Sequence, residues 1–114
     1  MITDLSYLQS MSANDSDFIQ EMVDIFREQI GEYSSEMPRL LNASDYKNLS
    51  RVAHKAKSSV AVMGMAAEAE LLKELEIKSH DGIDTHSYKE MIDHFIERSA
   101  LALNELDEYL SNQA

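Results

Sequence analysis

The chain has 114 residues, with 10 Lys+Arg against 21 Asp+Glu and a formal charge of −11, a length that suits one domain. With 3 Gly, 1 Pro and no Cys, a turn-rich sandwich, a glycine-rich phosphate loop, disulfides, thiolate metal sites and thiol catalysis are all disfavoured. The strong negative charge disfavours nucleic acid and anionic lipid as bulk partners, because both would be repelled.

The opening MITDLSYLQS lacks the basic, apolar, small-residue order of a secretory signal, and no apolar run approaches the roughly 20 residues of a membrane span. A cytoplasmic protein is expected. Residues 4–11 suit a short helix with Leu5, Leu8 and Met11 on one side. The next segment carries Ile19, Val23, Phe26, Ile30, Tyr33, Met37 and Leu40 at alternating steps of four and three. That seam predicts one long helix over about 16–42, passing through Pro38 without losing phase. Proline there removes one hydrogen bond and strains the turn Ser34–Met37, at a cost on the order of 3 kcal/mol. Asp15 or Ser16 is the expected N-cap, with Asp17 and Glu21 near the positive end of the helix dipole.

The third segment repeats the pattern in Tyr46, Leu49, Ala53, Ala56, Val60 and Met63. A helix is expected over 45–63, capped by Ser44 or Asp45 and ended by Gly64. A fourth, over 66–79, turns Ala69, Leu71, Leu72 and Leu75 inward. A fifth, over 86–111, does the same with Met91, Ile92, Phe95, Ser99, Ala102, Leu103, Leu106 and Leu110. Four amphipathic helices on short loops bury their stripes best as an all-α, antiparallel up-down four-helix bundle, here with a short extra N-terminal helix.

Chemistry is sought among four histidines. His80 and His86 sit near Asp81 and Asp84 in a polar loop, where spacing is a weak metal signal beside His pairs one helical turn apart. His94 lies off the apolar seam of the last helix and reads as a surface residue. His54 differs because it falls one residue past Ala53, so the helical period turns it away from the core. Lys47, Ser50, Arg51, His54, Lys57, Ser58 and Ala61 follow one face. No acid occurs between Asp45 and Glu68, whereas four of the ten cations, Lys47, Arg51, Lys55 and Lys57, do. Random placement leaves such a gap at a given place about once in a hundred trials, so the charge pattern is informative.

A neutral imidazole keeps a lone pair on one ring nitrogen and is a competent nucleophile toward phosphorus. Phosphoryl transfer needs charge stabilisation, which a lysine one turn away supplies in part. The bland alternative is an exposed histidine on a face that happens to be basic.

The residues AHKAKSSVAVMG, 53–64, resemble the signature of histidine phosphotransfer (HPt) domains. In that family a helix carries His, Lys three later, small residues four and five later, and Gly ten later, which here are His54, Lys57, Ser58, Ser59 and Gly64. Asp17, Phe18 and Phe26, the entry Asp45-Tyr46 and the run Leu72-Leu75-Glu76 extend the likeness to about residues 1–110. One departure is Ser58, where the family usually has Gly; serine is small, and its hydroxyl can reach a phosphoryl oxygen or the ring.

The resemblance implies that His54 carries a phosphoryl group on Nε2, that Lys57 neutralises its charge, that Ser59 packs against a neighbouring helix, and that Gly64 ends its own. It implies a relay between receiver-domain aspartates of a response regulator or hybrid sensor kinase, the partner bringing the aspartate and Mg²⁺. The chain would be a monomeric phosphocarrier, binding no cofactor and having no nucleotide or metal site of its own. Lys47, Ser50, Arg51, Lys55, Ala61 and Met65 are the expected docking surface, with Leu8, Met11, Met22 or Ile25 as further apolar anchors. The initial Met favours a free-standing protein over the tail of a longer sensor. The relay reading requires an imidazole open to water and not held by a carboxylate. A non-catalytic helical adaptor is the alternative; a bundle metalloprotein would need facing Glu-x-x-His pairs, which Glu90 and Asp93 do not form.

Overall fold

The computed structural model describes residues 2–12 and 15–113. It contains α1 (Ser6–Ser12), α2 (Ser16–Asn42), α3 (Tyr46–Val62), α4 (Ala66–Asp81) and α5 (Tyr88–Gln113), the last preceded by a 3-10 turn at Thr85–Ser87. There is no strand among the described residues. Neighbouring helices α2–α3, α3–α4, α4–α5 and α5–α2 pack in a closed ring, the up-down bundle that the sequence periodicity predicts. The molecule measures 45 × 20 × 20 Å, and its length is set by α2, whose 27 residues span about 40 Å at 1.5 Å per residue.

The α2 seam is wholly buried, from Ile19 through Val23, Phe26, Ile30, Tyr33 and Met37 to Leu40. Helix α2 continues through Pro38. Packing of a seven-residue apolar seam outweighs one missing hydrogen bond. Asp15 caps its start, its carboxylate accepting from the amides of Asp17 and Phe18.

Three helices end alike. After α2, the amides of Ser44 and Asp45 donate to Leu41 and Leu40. Those of Gly64 and Met65 donate to Ala61 and Val60, and those of Gly82 and Ile83 to Ser79 and Lys78. This is the Schellman arrangement, which needs a left-handed residue at its centre. Gly64 (φ 70°) and Gly82 (φ 67°) meet that need freely, whereas Ser44 adopts φ 53° with a side chain. Gly64 carries a second constraint, because a Cβ there would lie 2.2 Å from the Asp4 carbonyl oxygen.

That contact belongs to an N-terminal strap. The Asp4 amide donates to the Met63 carbonyl at 2.9 Å, and the Glu105 carboxylate accepts from the amides of Ile2 and Thr3 and from the Thr3 hydroxyl. Helix α1 begins only at Ser6, two residues later than expected, because Asp4 serves as a cap for the Ser6 amide. Only Leu8 of the expected apolar side is sealed; Met11 is 59% exposed, since a two-turn helix presents too short a stripe to cover it.

Tyr88, which the seam does not include, is fully buried at the start of α5. Its ring meets Tyr46 edge-on at 5.3 Å, and its hydroxyl reaches the carbonyls of Lys78 and Ile83, closing the loop after α4. In the core, Ser99 Oγ is buried with no hydrogen-bond partner among the described residues.

Exchanging the two left-handed residue types tests these helix ends. Ser44→Gly is expected to stabilise the protein by about 0.5–1 kcal/mol, relieving left-handed strain of roughly 1–2 kcal/mol against the entropy cost of glycine. Gly64→Ala is expected to lose at least that strain, about 1–2 kcal/mol, and more from the clash with Asp4. Urea unfolding midpoints of the two variants, which should move in opposite directions, check both. Ser99→Ala should raise the stability by about 1 kcal/mol, and the midpoint with it, because an unsatisfied hydroxyl is removed from the core.

Candidate functional site

Helix α3 exists because Asp45 caps it through the Asn48 amide and because Leu49, Ala53, Ala56, Val60 and Met63 are all buried. With that stripe inward, His54 emerges on the outer surface, its side chain 63% exposed. Lys47, Arg51, Lys55, Ser58 and Ala61 are exposed along the same helix. Two residues expected on the docking surface are not there. Ser50 is 6% exposed, on the edge of α3 that faces α4, where its hydroxyl donates to the Glu76 carbonyl at 2.8 Å. Met65 is fully buried, because left-handed Gly64 turns the chain back and drives the next apolar side chain onto the helix end. Leu8 is likewise core, while Met11 and Ile25 are exposed and Met22 is half-buried.

The imidazole is open to water but is held by a carboxylate, contrary to expectation. Nδ1 of His54 lies 3.0 Å from Oε2 of Glu76 on α4, and Nζ of Lys57 donates to Oε1 of the same group at 3.0 Å. An ionised carboxylate only accepts, so Nδ1 is the protonated ring nitrogen and the lone pair of the neutral ring sits on Nε2. No hydrogen bond to Nε2 is made among the described residues. The condition set on the sequence, that no carboxylate hold the ring, therefore fails as stated. It was drawn too broadly, because a carboxylate blocks the nucleophile only when it takes Nε2, and this one takes Nδ1 and leaves the outward nitrogen available.

Partial burial of the Glu76 side chain, 25% exposed, pushes its carboxyl pKa up. Hydrogen bonds from Lys57 and His54, with the charges behind them, outweigh that and hold it below its ordinary value. Lys57 consequently lies against α4 and is half-buried. Ser59 Oγ faces α2, donating to Gln29 Oε1 at 2.9 Å and lying 3.2 Å from the Tyr33 hydroxyl. Beside it, Met22, Ile25, Phe26, Gln29, Ser58 and Val62 line a shallow, mainly apolar groove between α2 and α3.

His80, His86 and His94 are exposed. His80 Nδ1 lies 3.1 Å from the carboxylate of the neighbouring Asp81, and among the described residues no three His, Asp or Glu side chains gather as a metal site would require. No helix among them is long and apolar enough to cross a membrane.

Glu76 is the site residue that sequence reasoning missed as chemistry. Its position was visible, one residue past buried Leu75 on the α4 stripe and hence flanking the core as His54 flanks Ala53. The acid-free interval in the sequence concealed it, since the carboxylate is supplied by another helix.

The sequence model of one protein family, described as Hpt domain, matches residues 21–114. The match takes in α3, α4, α5 and nearly all of α2. No curated protein and no solved structure matches the chain.

The Glu76 shift carries a stability consequence of defined sign. A carboxyl whose folded pKa is depressed stabilises the fold above its unfolded value, ordinarily 4.5, and that contribution is lost as pH falls through the lowered value. Thermal midpoints recorded from neutral pH down to about pH 3 should therefore drop less steeply below 4.5 in Glu76→Gln than in the wild type. Glu105, whose carboxyl is also lowered, burial opposing and the Ile2 and Thr3 hydrogen bonds prevailing, should keep part of the slope.

Proposed function

The chain belongs to the Hpt domain family, the histidine phosphotransfer domains of two-component phosphorelays, and on that footing we propose that it relays a phosphoryl group between receiver-domain aspartates, carrying it on Nε2 of His54. The observation that supports this reading best is the pairing of Nδ1 with Glu76 at 3.0 Å on an exposed ring. It leaves one nitrogen with a lone pair directed at solvent.

In the proposed step, Nε2 attacks the phosphorus of an aspartyl phosphate on the partner. An N–P bond forms, the P–O bond to the aspartate breaks, and the aspartate leaves as a carboxylate. The ring gains positive charge because it keeps the Nδ1 proton. Glu76, already hydrogen-bonded to that proton, stabilises the charge as it develops. No proton has to leave. Donation to a second aspartate reverses these bonds. Lys57, one turn from His54, exchanges its Glu76 contact for a phosphoryl oxygen, and Ser58 borders the same space. The partner supplies the acceptor aspartate and Mg²⁺, and the chain acts as a carrier without a nucleotide or metal site of its own.

The docking surface in this reading is the exposed part of α3, Lys47, Arg51, Lys55 and Ala61, together with the apolar groove beside Ser58. On a chain of charge −11 the cations of α3 make a local positive face, which would steer the acidic pocket of a receiver. That face must stay uncovered, so the protein acts as a monomer in the cytoplasm.

Incubation with a phosphorylated cognate receiver should transfer label in an acid-labile, alkali-stable form. His54→Gln should abolish it. Undiminished label in that variant would refute the relay, and receiver binding without any labelled intermediate in the wild type would identify an adaptor instead. Lys57→Ala should fold normally and transfer phosphate more slowly, by about 10–100-fold, the loss that accompanies removal of one transition-state charge partner worth roughly 1.4–2.7 kcal/mol.

A further inference from the structure

We propose that Ser50 is a positioning residue for His54, acting through the backbone of Glu76. The inference rests on the relay reading above for its functional meaning, although its geometry does not. Helices α3 and α4 run antiparallel, and the backbone carbonyls of a helix point toward its C-terminus while its side chains lean toward its N-terminus. Glu76 therefore reaches α3 in two directions. Its carbonyl oxygen meets Ser50 Oγ at 2.8 Å, one turn before His54, while its carboxylate meets His54 Nδ1 and Lys57 Nζ, each at 3.0 Å.

The result is a closed ring running from Ser50 through Glu76 to His54 and back along one turn of α3. A mid-helix carbonyl has a second lone pair beyond the one used by its own helix, and the Ser50 hydroxyl occupies it. Ser79 Oγ, which donates to the Leu75 carbonyl at 2.6 Å, lies 3.4 Å from the same Glu76 oxygen. Both hydroxyls are buried, so water competes little for these bonds. A small slide or roll of α4 along α3 would break the Ser50 bond and move the carboxylate off Nδ1 together. With the ring closed, the carboxylate is held in register, and with it the tautomer that places the lone pair on Nε2.

The test uses the full chain without phosphate, recording ring ¹⁵N shifts of His54 by NMR above the range in which imidazole titrates. The wild type should show mainly the Nδ1–H form. Ser50→Ala should keep its helical circular dichroism and shift population toward Nε2–H, the form a free imidazole prefers, while Ser50→Thr, which retains the hydroxyl, should restore the wild-type tautomer. Phosphate acceptance from a labelled receiver should fall about tenfold in Ser50→Ala and recover in Ser50→Thr. A folded Ser50→Ala with the wild-type tautomer population would overturn the proposal. If that variant does not fold, Ser50→Val, which has the shape of Thr without its hydroxyl, is compared with Ser50→Thr, and an unchanged tautomer there overturns it equally. The tautomer is read before any phosphate is offered, so a wild type that accepts no label would refute the relay while leaving this result standing.

Discussion

One carboxylate holds together the face of this molecule on which the proposed chemistry rests. Glu76 accepts from His54 with one oxygen and from Lys57 with the other, so the two residues of the α3 face are organised by a group from α4. Each contact alone is a partly exposed polar pair of the kind that contributes little to stability. Their value is directional. A carboxylate against Nδ1 decides which ring nitrogen is protonated, and a carboxylate against Nζ holds a half-buried cation beside the ring. The depressed pKa of Glu76 is the electrostatic record of that sharing.

The bundle around it provides the rigidity that such a contact requires. Helix α2 contributes the longest buried seam, and α3 lies against it through Ser59, Gln29 and Tyr33. The far end of α3 is closed by the strap of residues 2–4, which Glu105 and the Met63 carbonyl hold in place. Gly64 matters twice in that corner, once for its left-handed backbone and once because Asp4 passes where a side chain would be. Electrostatics complete the site, since a strip of cations on one helix of a strongly acidic chain makes a local attraction out of a global repulsion.

Much of this was legible in the order of residues. Steps of three and four located α2 through α5 and the buried stripe of each, and even carried α2 through Pro38, because amphipathic period is a local property of the helix. The same period set His54 outward from Ala53, and the AHKAKSSVAVMG run pointed to its family. Short α1 was harder, since with two turns a periodic signal hardly exists, and Met11 went to solvent while Leu8 alone was sealed. Tyr88 escaped notice because its burial comes from a loop and from Tyr46, not from a helical stripe.

The partnership at His54 lay beyond that reach. Glu76 is 22 residues away from the ring it holds, and a sequence interval without acids looked like a face without them. Likewise Ser50 shares the helical phase of exposed residues yet is covered, because α4 packs against that edge of α3. The chain by itself determined which residues are helical, which side of each helix is apolar, and that an imidazole stands among cations, since all three follow from spacing along one strand of backbone. Only the docking of α4 on α3 decided what that imidazole touches, because axial register and rotation between two helices depend on how their side chains interlock, and no spacing within either helix contains that information.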